Sequence, residues 1–379
     1  MSRHIVVAPD KFKGSLTAAE AAAAISRGLR QSNPKLTVSE CPIADGGEGT
    51  LAAAVAAGYE CVTVSAPGPT GSPVPTAYAR RGRSAVVEMA DISGLLRLDG
   101  GVHAPMTATS RGLGVVVGKA LDDGCRHIIV GIGGSACTDG GAGFLQGLGA
   151  HLEDGQGQPL PDGGGALRQA AALNVAELHP GLKDATLVIA GDVDNPLCGP
   201  SGAAVVYAPQ KGASAEQVVE LDRALEHWSN IVAATIGRDL RDATGAGAAG
   251  GVGFAAMAVL GATMRTGIDV VLELVGIDDH LRGASAVITG EGCLDSQSLR
   301  GKAPLGIRLR ASEHAVPAFA IVGTNTLTPE ETAASQFTAV YSLSDREPDV
   351  RKAMTRATDL LGSAAADLAS RFFVPANRC

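Results

Sequence analysis

The sequence has few aromatic residues and no long hydrophobic run. Phenylalanine, tryptophan and tyrosine together make up 3% of its 379 positions. Its apolar windows, such as residues 254–262, are well short of the ~20 residues that a membrane-spanning helix needs. The first residues, MSRHIVVAPDKF, return to charge and proline too soon for a signal peptide. We therefore expect neither a membrane protein nor a secreted one.

Cysteine, histidine and charge exclude further classes. The seven cysteines are odd in number and contain no C-x-x-C pair, which argues against a disulfide framework. The eight histidines have no metal-ligand spacing, so no transition-metal site is predicted. The 31 basic and 39 acidic residues form no block of like charge, which disfavours nucleic acid as the main partner. A reducing cytoplasm fits these features best.

Glycine is abundant, with 50 residues, where the usual share of about 7% would give roughly half as many. The glycines follow no Gly-X-Y period and alternate with β-branched runs and alanine-rich amphipathic stretches, a pattern typical of parallel α/β units. The spacing predicts a helix over residues 17–31, where Ser15 or Thr17 forms a capping box with Glu20. Buried strands are predicted at residues 4–8, 85–89, 127–130, 186–190, 286–289 and 318–322.

The composition changes between residues 59 and 83, where four prolines and short alternations are typical of hairpins. The late strands return to the α/β pattern of the N-terminus. We therefore predict an α/β protein of two domains. Residues 1–62 and 266–379 form a parallel-sheet domain from both termini, and residues 63–265 form an inserted α/β domain with a hairpin-rich start.

Six glycine clusters supply candidate anion-binding loops, because glycine lets backbone amides approach a phosphate or carboxylate. They are DGGEGT (45–50), GIGGS (131–135), DGGAG (139–143), GGG (163–165), GAGAAGG (245–251) and TGEG (289–292). For each cluster a tight turn is the alternative. Gly131, Gly133 and Ala136 match the dinucleotide pattern after the strand HIIV, but DGGAG prolongs the loop where a helix is required. No Walker A motif is present.

Acidic residues follow two predicted strands directly. Asp192 and Asp194 follow TLVIA, and Glu291 and Asp295 follow AVIT. Carboxylates at strand ends suit Mg²⁺ with phosphate oxygens and water, although an aspartate there can instead cap a helix. For Asp192 the turn-forming Asn-Pro pair at 195–196 argues against simple capping. Lys11, Lys13 and Arg111 add cations in loops, with solvated surface charge as the alternative.

Seven sequence blocks stand between about residues 3 and 345, in the order APDKFKGSLTAAEAAAAISRGLR, PIADGGEGT, TSRGLG, IIVGIGGSACTDGGAGFLQGLGA, DVDNPLCGPSGAAVVYAPQKGAS, GAGAAGGVGFAAMAVLGA and VITGEGCLDSQSLRGKAPLGI. Together and in this order, the seven blocks resemble the bacterial glycerate kinase family of the glyoxylate and galactarate pathways. The resemblance implies a flavodoxin-like, Rossmann-like domain carrying an inserted domain, and an active site in the cleft between them. It also implies phosphorylation of D-glycerate to 2-phosphoglycerate with ATP and Mg²⁺.

The resemblance and the needs of phosphoryl transfer together suggest site residues. The family's SGxTND block reads GSACTDGG here, so Ser135, Thr138 and Asp139 match it while Ala136 and Cys137 depart from it. Asp192 is the candidate that orients or deprotonates the glycerate hydroxyl. The other expected catalytic residues are Lys13 and Asp45. The expected substrate and phosphate contacts are Lys211, Arg111, Ser135, Gly133, Gly134, Thr138, Asp139 and Gly290, and the expected Mg²⁺ ligands are Glu291 and Asp295.

Other functions stay open at this point. A kinase of this family could place the phosphate on the 3-hydroxyl, giving 3-phosphoglycerate. An NAD-dependent hydroxy-acid dehydrogenase would use the loop from Gly131 to Ala136, and a non-catalytic sensor would bind a nucleotide or a carboxylate. The expected partners are D-glycerate and ATP, with neither nucleic acid nor membrane, and a homo-oligomer is left open.

Overall fold

The structure is a computed structural model, and it describes residues 3–300 and 302–373. Its strands in chain order are β1 (His4–Val7), β2 (Thr37–Glu40), β3 (Glu60–Pro67), β4 (Pro73–Arg81), β5 (Ser84–Glu88), β6 (His127–Gly131), β7 (His151–Asp154), β8 (Ala170–Asn174), β9 (Thr186–Ala190), β10 (Thr263–Arg265), β11 (Ala286–Thr289), β12 (Cys293–Leu294), β13 (Ala318–Val322), β14 (Thr324–Asn325) and β15 (Ala339–Ser342). The six predicted strands are confirmed, with ends that differ by at most one residue.

Helices connect these strands. The α-helices are α1 (Ala18–Ser32), α2 (Thr50–Ala56), α3 (Met89–Ser93), α4 (Arg111–Asp122), α5 (Ala142–Gly147), α6 (Ala203–Tyr207), α7 (Ala215–Ile236), α8 (Val252–Leu260), α9 (Gly267–Val275), α10 (Ile277–Leu281), α11 (Ala303–Glu313), α12 (Pro329–Ala334), α13 (Val350–Thr355) and α14 (Ala357–Phe372). Short 3₁₀ helices are Leu95–Arg97, Asp99–Gly101, Gly164–Gln169, Pro180–Asp184, Pro209–Lys211, Ala248–Gly251, Ser298–Arg300 and Leu343–Asp345. No helix of the described ranges is both long and apolar enough to cross a membrane.

The chain divides into two compact units. The first holds the residues up to Asp45, Ala52–Ala57 and the residues from Ile268 onward, and the second holds Gly46–Leu51 and Gly58–Gly267. The predicted domain limits, after residues 62 and 265, stay a prediction.

The first unit has a five-stranded sheet in which all neighbours are parallel, in the order β2-β1-β11-β13-β15. If only these five strands are counted, from 1 to 5 in chain order, their order in the sheet is 2-1-3-4-5. This is the order of flavodoxin-like folds, so the predicted fold class is confirmed. The direction of winding changes between β1 and β11. The loops that follow these two strands therefore lie at the point where such sheets bind ligands.

Small residues let the helices of the first unit pack closely. Thr17 caps α1 in a capping box with Glu20, as predicted. A side chain at Gly28 of α1 would meet the carbonyl oxygen of Gly362 in α14, with its Cβ 2.0 Å away. Leucine and alanine side chains of both helices fill the core beside this contact. Close helix packing by glycine and alanine explains how the core is filled with so few aromatic rings.

The second unit has a six-stranded sheet in the order β10-β9-β6-β5-β4-β3. The strands β10, β9, β6 and β5 are parallel, whereas β3, β4 and β5 form antiparallel hairpins. The hairpins predicted for the proline-rich stretch are therefore confirmed. Their prolines stand at or near the ends of β3 and β4, where a missing amide donor costs little.

Candidate functional site

Two buried carboxyl groups lie at the switch point of the first unit. Asp10 follows β1 and Glu291 follows β11, and they are 6% and 8% exposed. Their loops are joined because the Asp10 amide donates to the carbonyl oxygen of Gly290 at 2.8 Å. The Thr289 hydroxyl donates to the carbonyl oxygen of Ala8 at the same distance. Parallel pairing of β1 and β11 thus brings together residues that are far apart in sequence.

Burial controls the ionisation of both groups. It raises the pKa of Asp10 to about 7, an effect that the Lys11 ammonium opposes and the Asp45 and Glu291 charges reinforce. Burial likewise raises the pKa of Glu291 to about 7. The Oε1 atom of Glu291 is buried and has no hydrogen-bond partner among the described residues. The pair is therefore poised to hold a proton or to meet an incoming cation.

Lys11, rather than Lys13, is the lysine beside these carboxylates. Its Nζ lies 3.8 Å from Asp10 Oδ1 and 3.9 Å from Asp45 Oδ1. Asp45 is one-third exposed, so it stands at the rim of the cluster. Lys13 has an exposed side chain. Of the two expected catalytic residues in this unit, the structure brings Asp45 to the buried pair and leaves Lys13 at the surface.

Asp295, the second expected Mg²⁺ ligand, is engaged in a turn. Its Oδ1 accepts hydrogen bonds from the amides of Gln297 at 2.8 Å and Ser298 at 3.0 Å. Burial acts to raise its pKa, but these bonds and the Lys302 charge hold the pKa below its ordinary value. Within residues 3–300 and 302–373 no three histidine, cysteine or acidic side chains are grouped to hold a metal. The unpartnered Glu291 Oε1 still fits Mg²⁺, which takes one or two carboxylates beside water and phosphate.

In the second unit, the loop after β6 presents Ser135 to a buried lysine. Lys211 ends the 3₁₀ helix Pro209–Lys211, and its Nζ donates to Ser135 Oγ at 3.0 Å and to the Cys137 carbonyl oxygen at 2.5 Å. Burial lowers the pKa of Lys211. Thr138 Oγ1 is buried and has no partner in the described part of the chain. Lys211, Ser135 and Thr138, which are expected as substrate contacts, are thus close together in the fold, beside Cys137, which is not.

Asp139 is used inside the protein. It is fully buried, and its Oδ2 accepts hydrogen bonds from the amide and the hydroxyl of Ser110, both at 2.8 Å. Its Oδ1 accepts from the Gly141 amide at 3.1 Å. Because Ser110 precedes α4 and Gly141 precedes α5, this carboxylate connects the starts of two helices.

Arg111 is likewise paired inside the protein, with Asp162. Its Nε and Nη2 donate to Asp162 Oδ1 at 2.9 and 2.6 Å, and Nε also donates to Oδ2 at 3.1 Å. This fork geometry holds the guanidinium at the start of α4 and compensates its charge. An anion that binds at Arg111 would have to compete with Asp162.

The glycines expected at the site are also needed by the fold itself. A Cβ at Gly133 would lie 2.6 Å from Gly47 Cα, and one at Gly290 would lie 2.0 Å from a carbonyl oxygen of β13. Gly134 has φ +73°, a left-handed conformation that disfavours other residues. Close backbone approach at Gly133 and Gly290, and the left-handed conformation at Gly134, therefore account for glycine at these positions.

Asp192 follows β9 with an exposed side chain. Its Oδ1 accepts a hydrogen bond at 2.7 Å from the amide of Gly267, the first residue of α9. The expectation that Asp192 does not cap the next helix in sequence holds, but the carboxylate does bind the first amide of a helix 75 residues away. Asp192 therefore has a structural contact in addition to any chemical role.

Sequence reasoning missed Glu88. Its Oε2 accepts from the amides of Gly49 at 3.1 Å and Leu51 at 2.9 Å, at the start of α2. Burial raises its pKa to about 7. Two amides of the DGGEGT loop are thus occupied by the protein's own carboxylate. The signal that could have found Glu88 is its position as the acid that ends the otherwise apolar strand SAVVE. Asp10, after HIVVA, carried the same signal.

The dinucleotide pattern lacks its structural context. Gly131 ends β6, but the next α-helix, α5, begins only at Ala142. A dinucleotide-binding turn requires the helix to start within the glycine motif, so that its amides face the pyrophosphate. The structure therefore does not support the dehydrogenase alternative.

A parallel sheet with buried acids in the loops after its strands, as in the first unit, is typical of an α/β enzyme that binds a small ligand there. Comparison with known proteins defines the class further. A model of the glycerate kinase family matches residues 5–373. The chain belongs to this family, as its seven blocks predict, and the expected enzyme class, an ATP-using kinase of glycerate, is confirmed.

Individual relatives agree with this assignment. The chain is 40% identical to a glycerate kinase of Bacillus subtilis over 97% of each chain. It is 42% identical to the glycerate 2-kinase of Escherichia coli over 85% of each. A crystal structure from Salmonella typhimurium LT2 named for glycerate kinase 2 superposes with a TM-score of 0.85, at 39% identity and over 98% of each chain.

Proposed function

We propose that the protein transfers the γ-phosphoryl group of ATP to the 2-hydroxyl of D-glycerate. The observation that carries the position of transfer is the 42% identity to a protein named glycerate 2-kinase. The buried carboxyl pair at the flavodoxin-type switch point supports the same chemistry, because phosphoryl transfer depends mainly on positioning and charge stabilisation.

We assign roles on the same basis. Asp192 orients or deprotonates the attacking hydroxyl, and Asp45 and Lys13 assist in the first unit. In the second unit, Lys211 and Ser135 belong to the substrate-binding side, with Gly133, Gly134, Thr138, Asp139 and Arg111 in the loops around them. In the first unit, Gly290 belongs to the loop after β11 that carries Glu291.

Mg²⁺ is proposed as the metal. When bound, it neutralises the charge of the phosphates. Glu291 is the residue best suited to hold it, since its buried Oε1 has no partner in the described ranges. Asp295 would contribute Oδ2, because Oδ1 is engaged by the turn. Asp10 is the additional buried carboxylate beside Glu291.

The decisive experiment is to supply MgATP with D-glycerate, L-glycerate or no acceptor and to measure ADP release. Phosphorus NMR of the product separates the two positions. We expect D-glycerate-dependent ADP release and 2-phosphoglycerate. Phosphate on the 3-hydroxyl would overturn the regiochemistry, and no glycerate-dependent release would overturn the kinase assignment for this chain. Thermal stabilisation by NADH but not by MgATP would instead favour the dehydrogenase.

The cellular setting is proposed from the sequence. The irregular, odd-numbered cysteines fit a cytoplasmic enzyme. Its partners are then its small-molecule substrates, and its oligomeric state is open to measurement by light scattering.

A further inference from the structure

Lys211 carries a buried positive charge that forms no ion pair with a carboxylate of the described residues. Lys211 is only 2% exposed, and its ammonium donates hydrogen bonds to two uncharged oxygens, Ser135 Oγ and the Cys137 carbonyl oxygen. In the part of the chain that the structure describes, no carboxylate forms an ion pair with it. The Asp139 carboxylate lies near enough for its charge to act on Lys211, but it forms no ion pair with the lysine, and its oxygens accept hydrogen bonds from Ser110 and Gly141. The buried ammonium is therefore only partly compensated, which is costly, so this arrangement favours an incoming anion.

The hydrogen bond between the two residues has a fixed direction. An ammonium group has three donors and no acceptor, so Ser135 Oγ must accept from Lys211 Nζ. The hydrogen of the Ser135 hydroxyl therefore points elsewhere, and residues 3–300 and 302–373 offer it no acceptor. Ser135 is 7% exposed, so it is the more accessible of the two. The result is a polarised O–H donor in front of a buried cation.

The charge at this loop suits a monoanion. Arg111, the other cation expected here, is already paired with Asp162 by a forked contact. One ammonium, partly compensated by the nearby Asp139 charge, is therefore left to face a ligand. A single carboxylate brings one negative charge to this small positive excess, whereas a triphosphate would bring several.

We propose that Ser135 Oγ donates a hydrogen bond to the carboxylate of glycerate, and that Lys211 is a positioning residue that acts through Ser135 without touching the substrate. This inference rests on the proposed function, because it takes glycerate as the substrate.

The test uses steady-state kinetics of the full chain with D-glycerate and MgATP varied separately. Loss of a hydrogen bond to a charged group predicts that Ser135→Ala raises KM for glycerate about 10- to 100-fold. The KM for MgATP should stay within twofold. Ser135→Thr keeps the hydroxyl and should recover most of the affinity. Ser65→Ala, an exposed serine of β3, is the matched control and should behave as wild type.

Lys211→Met distinguishes a positioning role from direct contact. It should raise the same KM, and the double variant Ser135→Ala/Lys211→Met should be no worse than the more impaired single variant. Lys183→Met, at an exposed lysine, is its control. Multiplied effects in the double variant would show that Lys211 contacts the substrate itself and would overturn its proposed role. If Lys211→Met does not fold, Lys211→Arg replaces it in the same cycle.

The same kinetics distinguish a failure of the proposed function from a failure of the inference about Ser135. If wild type does not phosphorylate glycerate, the proposed function fails. If wild type is active and Ser135→Ala leaves KM for glycerate unchanged, the inference alone fails. A rise in KM for MgATP with unchanged KM for glycerate would assign Ser135 to the nucleotide and overturn the inference as well.

Discussion

Replacing Asp192 by asparagine separates its proposed chemistry from its structural contact. In the structure, Oδ1 of Asp192 accepts the Gly267 amide at the start of α9, at 2.7 Å. Asparagine keeps a side-chain carbonyl oxygen, so it can keep this hydrogen bond while losing the negative charge. Alanine removes both. The two variants therefore test different properties of one side chain.

The expected magnitudes differ clearly. General-base assistance contributes about 10²–10⁴-fold, which is about 2.7–5.5 kcal/mol of transition-state stabilisation. A carboxylate that caps a helix contributes about 0.5–2 kcal/mol to the free energy of unfolding. We expect Asp192→Asn to lower kcat by at least 100-fold with an unchanged Tm and little change in KM for glycerate. Asp192→Ala should lower kcat similarly and also lower the free energy of unfolding by about 1 kcal/mol.

The measurements are steady-state ADP release and thermal melting of purified protein, with kcat expressed per folded molecule. A change in kcat of less than fivefold for Asp192→Asn would remove Asp192 from the catalytic residues. If Asp192→Ala then still lost stability, the carboxylate would serve only to hold the start of α9.

Three further predictions concern stability, each measured by melting without ligands. Ala249 has a left-handed backbone with φ 53°, so Ala249→Gly should relieve strain and raise Tm by about 2–4 °C, and an unchanged or lower Tm would contradict this. Burial raises the pKa of Asp10, Glu88 and Glu291 to about 7, above the values expected in the unfolded chain. The folded state then binds more protons than the unfolded chain, so stability should be greatest at mildly acidic pH and fall as pH rises through 7. Glu88→Gln should flatten this pH dependence. A stability that rises from pH 6 to 8 would refute the prediction. Gly290→Ala would place Cβ 2.0 Å from a backbone oxygen and should cost more than about 2 kcal/mol, whereas a wild-type Tm would show that the loop can move aside.

Local pattern was sufficient to locate the main strands. The runs HIVVA, AVIT and TLVIA are apolar and β-branched, lie between turn residues, and form strands in the structure. Thr17 and Glu20 likewise define the start of α1 through contacts three residues apart. Such features depend on neighbouring residues in the chain, and so a sequence pattern can predict them. The resemblance to a family added that the domain formed by both termini is flavodoxin-like.

The partners of the acidic side chains could not be predicted in this way. Each of Asp139, Asp192 and Glu88 binds a backbone amide that lies between 29 and 75 residues away. These bonds depend on which loops the sheets bring together. The sequence pattern does not show which loops are close in space.

The sequence by itself determined which residue types stand at the strand ends, and hence that the loops there are acidic and rich in glycine. Only the tertiary structure decided which acids are available for chemistry. Parallel pairing of β1 and β11 joins loops 281 residues apart, where burial makes Asp10 and Glu291 harder to ionise. Burial also lowers the pKa of Lys211, which forms no ion pair within the described ranges, whereas Arg111 is paired with Asp162. The physical reason is that ionisation and pairing depend on desolvation and on distance in space, and both are properties of the folded chain.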